Sequence, residues 1–339
     1  MSEIAIIGAG AWGTALSIVL GRKHTHHVRL WAYEKEVCES ILLRRENHMF
    51  LRGQSIPQPV TAYNDLTEAL RGAGIVVSVM PSQHCRRLFE KMRPHLHPDT
   101  LIISATKGLE ENSLLRMTEV IAQVVAPENR PPRIGALSGP SFALEVARGD
   151  PTAITIASTD DELARVIQKE FSDASFRVYT NNDPIGVELG GALKNTIAIA
   201  AGICAGLGLG HNSIAALITR GLAEMTRLVV ACGGNAETMA GLAGLGDLVL
   251  TCTGGLSRNR TVGVELGRGA KLPQILAGMH GMVAEGIFTT TAAVGLARAR
   301  GVEVPITEQI HAILHEQKTP REAIAELMSR SGKSESHRS

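Results

Sequence analysis

The sequence predicts an α/β chain: a doubly wound, mainly parallel sheet at the N-terminal end, followed by an all-helical domain. Three observations predict it. Short apolar runs alternate with amphipathic stretches through the first half. Strand patterns nearly vanish after about Asp183. A glycine-rich turn joins the first apolar run to the first helical stretch. The 339 residues suffice for about two domains.

Ile4-Ala5-Ile6-Ile7 reads as the first strand, and residues 11–22 as the first helix. A second strand at 28–31 and a second helix at 34–45 follow. Residues 75–79 form a continuous apolar run, the pattern of a strand covered on both faces. Shorter runs occupy 101–103, 134–137, 154–156 and 176–179. Pro184 suits the first turn of a helix. Helical patterns then cover 185–202, 211–232, 258–267, 285–300, 305–316 and 319–328. The expected domains are therefore 1–183 and 184–329, with a polar tail at 330–339 expected to be disordered. Residues 195–219 carry no Asp, Glu, Lys or Arg. Glycines at 202, 206, 208 and 210 interrupt them, which would leave backbone groups unpaired in lipid. The stretch reads as two buried helix segments joined by a glycine-rich bend, not as a membrane span.

Lys and Arg number 34 against 33 Asp and Glu, for a net charge of +1. No global field then draws the chain to nucleic acid or to an anionic membrane. Aromatic residues are only 3%, too few for base-stacking platforms. Any bound anion must be held by local geometry. The five cysteines (Cys38, Cys85, Cys204, Cys232 and Cys252) are odd in number and lack a C-x-x-C spacing. They fit reduced thiols rather than a disulfide framework or zinc site. The 12 histidines show no metal-ligand spacing, so no catalytic metal is expected. No basic segment with a long apolar run opens the chain, so a cytoplasmic protein without a signal peptide is expected.

The strongest local motif is Gly8-Ala9-Gly10-Ala11-Trp12-Gly13, after the first strand and at the start of the first helix. In a Rossmann-type site Gly8 permits the tight turn, Gly10 lets a pyrophosphate approach, and Gly13 packs helix on strand. The free N–H groups and positive dipole end of the helix complete an anion cradle. Glu34 follows Gly13 by 21 residues and could accept a ribose hydroxyl, as NAD binding requires. Arg44 and Arg45 could instead reach a 2′-phosphate, so NAD and NADP both stay open. Trp12 either covers the cofactor or packs on the core.

Three further motifs carry chemistry. Lys194 is the sole cation in a long small-apolar helical stretch. A desolvated lysine there would have a shifted pKa and suit proton exchange; a snorkelling lysine would not. Ser257-Arg258-Asn259 leads into a helix and would cage a phosphate, unless it is an ordinary capped start with solvated arginines. Asp247 follows two glycines, either as a partner for a buried lysine or as a helix cap. Thr106-Lys107-Gly108 and Ser138-Gly139-Pro140-Ser141 follow strands, at the sheet end where ligands bind.

Together, these residues resemble the bacterial, soluble NAD(P)-dependent glycerol-3-phosphate dehydrogenases. The likeness runs from Ile4 to about Leu327. It rests on the Gly8–Gly13 turn, Ala105-Thr106-Lys107-Gly108-Leu109, Ser138–Ala143, Leu189–Asn195, Gly241–Leu248 and Ser257–Asn259. The resemblance implies reversible reduction of dihydroxyacetone phosphate to sn-glycerol 3-phosphate, a precursor of glycerophospholipids. Hydride would pass from nicotinamide C4 to substrate C2, with Lys194 as proton donor and acceptor. It implies substrate contacts by Lys107, Gly139, Ser141, Lys194, Asp247, Ser257, Arg258 and Asn259. It implies cofactor contacts by Gly8, Gly10, Ala11, Trp12, Gly13, Tyr33, Lys107, Ala143, Arg258, Val283 and Glu285. A small phosphorylated three-carbon substrate and a homodimer through the helical domain are the implied partners. Ala11 stands where many relatives have Ser, and Tyr33 replaces a His or Arg of some members. Two other readings remain: another β-hydroxyacid-type NAD(P) dehydrogenase, and a non-catalytic NAD(P)H sensor.

Overall fold

The computed structural model describes residues 2–126, 131–279, 284–332 and 334–335. Among the described residues there are ten strands: β1 (Ser2–Ile7), β2 (His26–Trp31), β3 (Glu46–Asn47), β4 (Leu51–Ser55), β5 (Val60–Tyr63), β6 (Ile75–Ser78), β7 (Leu101–Ser104), β8 (Ile134–Ser138), β9 (Thr152–Ala157) and β10 (Phe176–Asn181). Eight of them form one sheet in the order β10-β9-β8-β7-β6-β1-β2-β5. Only the β8–β9 pair is antiparallel. The inner strands β6 and β7 are buried at every residue, because helices cover both faces. Chain order reverses between β1 and β6. That reversal opens a crevice at the carboxyl ends of the strands.

Three strands are not legible in the sequence. The strand β5 has four residues of alternating burial at the sheet edge, too short to stand out as a period. The ribbon β3–β4 pairs antiparallel outside the main sheet and buries Asn47 completely.

Beyond β10 the chain is helical, starting with Pro184–Gly206. The Asp183 carboxylate caps this helix, accepting from Gly186 N at 2.8 Å. Its other oxygen accepts from Asn235 N and Thr238 Oγ1. By length and composition the helix could cross a membrane, but nearly all of it is buried in the protein. It forms the axis of the second core, from Leu189 and Leu193 to Ile203.

Gly202 and Gly206 are not part of a bend. They lie inside this helix, and the break occupies 207–210. Their role is close packing. A Cβ on Gly202 would stand 2.1 Å from Arg260 O, and one on Gly206 2.2 Å from Val264 O. Gly263 faces Ile199 O in the same way at 2.0 Å. Bare backbones thus bring the Arg258–Gly267 helix directly onto the Pro184–Gly206 helix. The helix after the break, His211–Ala231, is not buried at its start. Ala215 and Ala216 are exposed, as is Leu209. Three short helices, Ala236–Met239, Asp247–Thr253 and Leu272–Gly278, were not expected from the sequence. All five cysteines are free. The tail expectation falls partly outside the described residues; within them, Arg330 pairs with Glu303 at 3.2 Å.

Candidate active site

The glycine turn sits at the crevice, fixed by contacts that exclude side chains. Gly8 has φ +122°, and a Cβ there would stand 2.5 Å from Val79 O. A Cβ on Gly13 would stand 1.9 Å from Gly8 O. Gly10 differs: a Cβ there would meet nothing within 4 Å. It is the N-cap of the Ala11–Arg22 helix and supplies no side-chain cap. Two glycines therefore satisfy the protein, and the third leaves open space before free helix N–H groups. These residues fit a dinucleotide pyrophosphate. The loop joins the end of β2 through Gly8 N to Trp31 O at 3.2 Å.

Around the turn the expected cofactor residues have different surroundings. Ala11 opens the helix. Trp12 packs beside Phe176, with ring centroids 6.5 Å apart, and its buried indole N–H lacks a partner. Tyr33 is 77% exposed after β2. Ala143 opens the Ala143–Arg148 helix. Glu34 is the N-cap of the Lys35–Arg44 helix. Arg45 is committed elsewhere: its guanidinium donates to the carbonyls of Ile56, Pro57 and Val60. That corrects its reading as a 2′-phosphate ligand. Val283 lies outside the described residues.

Across the crevice three segments bring one carboxylate between two ammonium groups. Lys194, on the Pro184–Gly206 helix, donates to Asp247 Oδ1 at 2.5 Å and to Thr251 Oγ1 at 2.6 Å. Lys107, after β7, donates to Asp247 Oδ2 at 2.6 Å and to Gly139 O at 3.4 Å. Lys194 is 5% exposed and Asp247 1%, so Lys194 does not snorkel. Burial pulls the Lys194 ammonium down to about 8, although the Asp247 carboxylate opposes the shift; Lys107 adds to it. Burial pushes the Asp247 carboxyl up, but Lys107 and Lys194 outweigh it and hold it below the ordinary range. The cluster carries one net positive charge when all three groups are ionised. Thr251 was missed in the sequence. It lies four residues beyond Asp247, one helical turn on, and its hydroxyl donates back to Asp247 O at 2.6 Å.

The Ser257-Arg258-Asn259 segment opens a helix beside Lys194. Ser257 is its N-cap and accepts from Arg260 N at 3.2 Å. Asn259 is 8% exposed and donates to Asn195 Oδ1 at 2.9 Å. It also accepts from Gly286 N at 3.0 Å, so this Asn is shared between helix starts. The Arg258 side chain is accessible, yet surrounding protein lowers its pKa, with Glu285 opposing. Burial pushes the Glu285 carboxyl up, and Ser82 Oγ donates to it at 2.8 Å. This contact links the loop after β6 to the helical domain. Gly139 is buried with φ +145°, and Ser141 Oγ donates to its carbonyl at 3.0 Å.

Two family models match the chain. The N-terminus of NAD-dependent glycerol-3-phosphate dehydrogenase matches residues 3–164, and the C-terminus of the same enzyme matches 183–325. The chain belongs to this family. A glycerol-3-phosphate dehydrogenase [NAD(P)+] of Koribacter versatilis is 70% identical over 330 residues, covering 97% of this chain and 98% of that one. One from Acidobacterium capsulatum is 55% identical over 338 residues, covering 99% and 100%. Among solved structures, the glycerol-3-phosphate dehydrogenase of Coxiella burnetii superposes with a TM-score of 0.92 at 42% identity. It covers 97% of this chain and 99% of its own. The chain is thus an oxidoreductase of the NAD(P)-dependent glycerol-3-phosphate dehydrogenase family.

Proposed function

We propose that the chain reversibly reduces dihydroxyacetone phosphate to sn-glycerol 3-phosphate with NAD(P)H. The observation that carries this reading is the buried Lys194, brought to about 8 by desolvation and held by Asp247 and Thr251. A general acid works best with a pKa near the operating pH. When bound at Gly8–Gly13, with Ala11, Trp12, Tyr33, Ala143 and Glu285 around it, the dinucleotide supplies the hydride. Lys194 faces the substrate carbonyl oxygen, stabilises the charge that develops there, and donates the proton. Asp247 keeps both lysines oriented and partly neutralised. Lys107 stands between substrate and cofactor, beside Gly139 and Ser141.

The phosphate of the substrate takes Ser257, Arg258, Asn259 and the helix N–H groups. That remote binding energy fixes the carbonyl against Lys194. The product supplies glycerophospholipid synthesis in the cytoplasm. The exposed Leu209, Ala215 and Ala216 around the start of the His211–Ala231 helix support a homodimer through the helical domain.

Following the absorbance of NADH and NADPH with purified protein tests the reading. Loss of absorbance that depends on dihydroxyacetone phosphate is expected. Faster turnover of an unphosphorylated 3-oxo acid would assign a β-hydroxyacid dehydrogenase instead. Tight cofactor binding without turnover on any such substrate would favour the sensor.

A further inference from the structure

The ribbon β3–β4 lies outside the sheet and takes no part in the proposed chemistry. Yet its Asn47 is wholly buried against the back of the glycine turn. Asn47 Nδ2 donates to Ala9 O at 2.8 Å and to Thr14 Oγ1 at 2.8 Å. Its Oδ1 accepts from Phe50 N at 3.0 Å, which locks the side-chain amide in one orientation. Thr14 Oγ1 adds a longer donation to Ala9 O at 3.4 Å.

The peptide between Ala9 and Gly10 is planar and trans, so its C=O and N–H point in opposite directions. A carbonyl tied to Asn47 therefore aims the Gly10 N–H the opposite way, away from the Asn47 amide, and the space beside Gly10 is open: a Cβ there would meet nothing within 4 Å. We propose that Asn47 is a positioning residue for the dinucleotide: it sets the peptide plane that presents the Gly10 N–H to the pyrophosphate. The inference rests on the cofactor reading of the Gly8–Gly13 turn. It assigns to the ribbon a task that the strand-turn-helix motif does not perform alone. Glycines permit this plane but do not select it, because glycine is conformationally permissive.

Asn47→Asp tests it. An aspartate keeps the size and the acceptor for Phe50 N, but sets a carboxylate oxygen against Ala9 O in place of a donor. NADH affinity, read by fluorescence titration, should weaken about tenfold or more, the loss expected when a buried carbonyl is left unpaired. At saturating NADH, kcat and the KM for dihydroxyacetone phosphate should stay within about twofold, since the Lys194 cluster is untouched. Thr14→Val is the milder second variant should Asn47→Asp fold poorly; it removes one partner of the same network and should weaken NADH in the same direction. Glu46→Gln is the ribbon control. It perturbs only the Gly53 N contact of β3–β4 and should leave NADH affinity unchanged. Wild-type NADH affinity in folded Asn47→Asp and Thr14→Val overturns the proposal, as does an equal loss in Glu46→Gln. If the wild-type chain binds neither NADH nor NADPH, the cofactor reading itself fails, and that outcome is distinct from both.

Discussion

The glycine turn at Gly8–Gly13 and the cluster of Lys107, Lys194 and Asp247 face the same crevice but are made of different material. The turn comes from six consecutive residues and acts through backbone. Its requirements are steric and local: a Cβ on Gly13 would strike Gly8 O. The cluster comes from three segments separated by 87 and 53 positions (107, 194 and 247) and acts through side chains. Its defining contacts are Lys194 to Asp247 at 2.5 Å, made between two helices beyond β10, and Lys107 to Asp247 at 2.6 Å, which exists only once the sheet and the helical part meet. A backbone site announces itself in a short motif. A side-chain site is decided by packing, and its residues taken singly look like caps or surface charges.

Four experiments would break or sharpen that contrast. The largest effect is expected from Lys194→Ala. Loss of a general acid typically lowers the rate ~100- to 10,000-fold, so kcat should collapse while NADH titration shows unchanged affinity at the turn. Near-normal turnover would remove Lys194 from the chemistry. Next is Arg258→Ala. Removing a charge-assisted hydrogen bond of roughly 1.5–3 kcal/mol should raise the KM for dihydroxyacetone phosphate about 10- to 100-fold. Dihydroxyacetone, which lacks the phosphate, should lose much less; an equal loss on both would argue against a phosphate contact.

The third experiment compares two glycines of one motif. Gly13→Ala should cost on the order of 1–3 kcal/mol through overpacking and lower Tm, because the added methyl meets Gly8 O. Gly10→Ala should leave Tm in place, since its φ of −66° suits alanine and its Cβ meets only open space. It should weaken NADH instead. Equal Tm losses would show that both glycines serve folding alone.

The smallest effect concerns pH. In the proposed mechanism reduction draws on protonated Lys194, which burial pulls down to about 8. Its rate should therefore fall as pH rises through that value, and oxidation should fall as pH drops through it. The Asp247 carboxylate raises the Lys194 pKa against burial. Asp247→Asn removes that support, so the midpoint of the reductive limb should move to lower pH. A midpoint that stays or moves upward would show that Asp247 does not set the Lys194 charge.

Much of this was readable in advance. The apolar runs in β1, β6 and β7 are covered on both faces, so they stand out as continuous apolar stretches. The Arg258–Gly267 helix was bounded correctly because Ser257 is a good N-cap. β5 escaped because four half-buried edge residues carry little pattern. Asn47 and Thr251 escaped because an isolated Asn or Thr has no spacing signal; their importance lies in the groups they meet. Gly202 and Gly206 read as a break in the sequence because glycine is usually disfavoured within helices. Here the close approach of the Arg260 carbonyl to Gly202 and of the Val264 carbonyl to Gly206 requires their lack of a side chain.

By itself, then, the chain order determined the doubly wound sheet, the long helices after it and the glycine turn between β1 and the first helix. These follow from hydrophobic period and from the absence of Cβ atoms, which act over a few neighbouring residues. Tertiary structure alone decided that Lys194 is buried rather than snorkelling, that Asp247 lies between two ammonium groups, and that Arg45 serves three backbone carbonyls instead of a ligand. Desolvation and ion pairing depend on what comes close in space, and that closeness arises only when separate segments pack together.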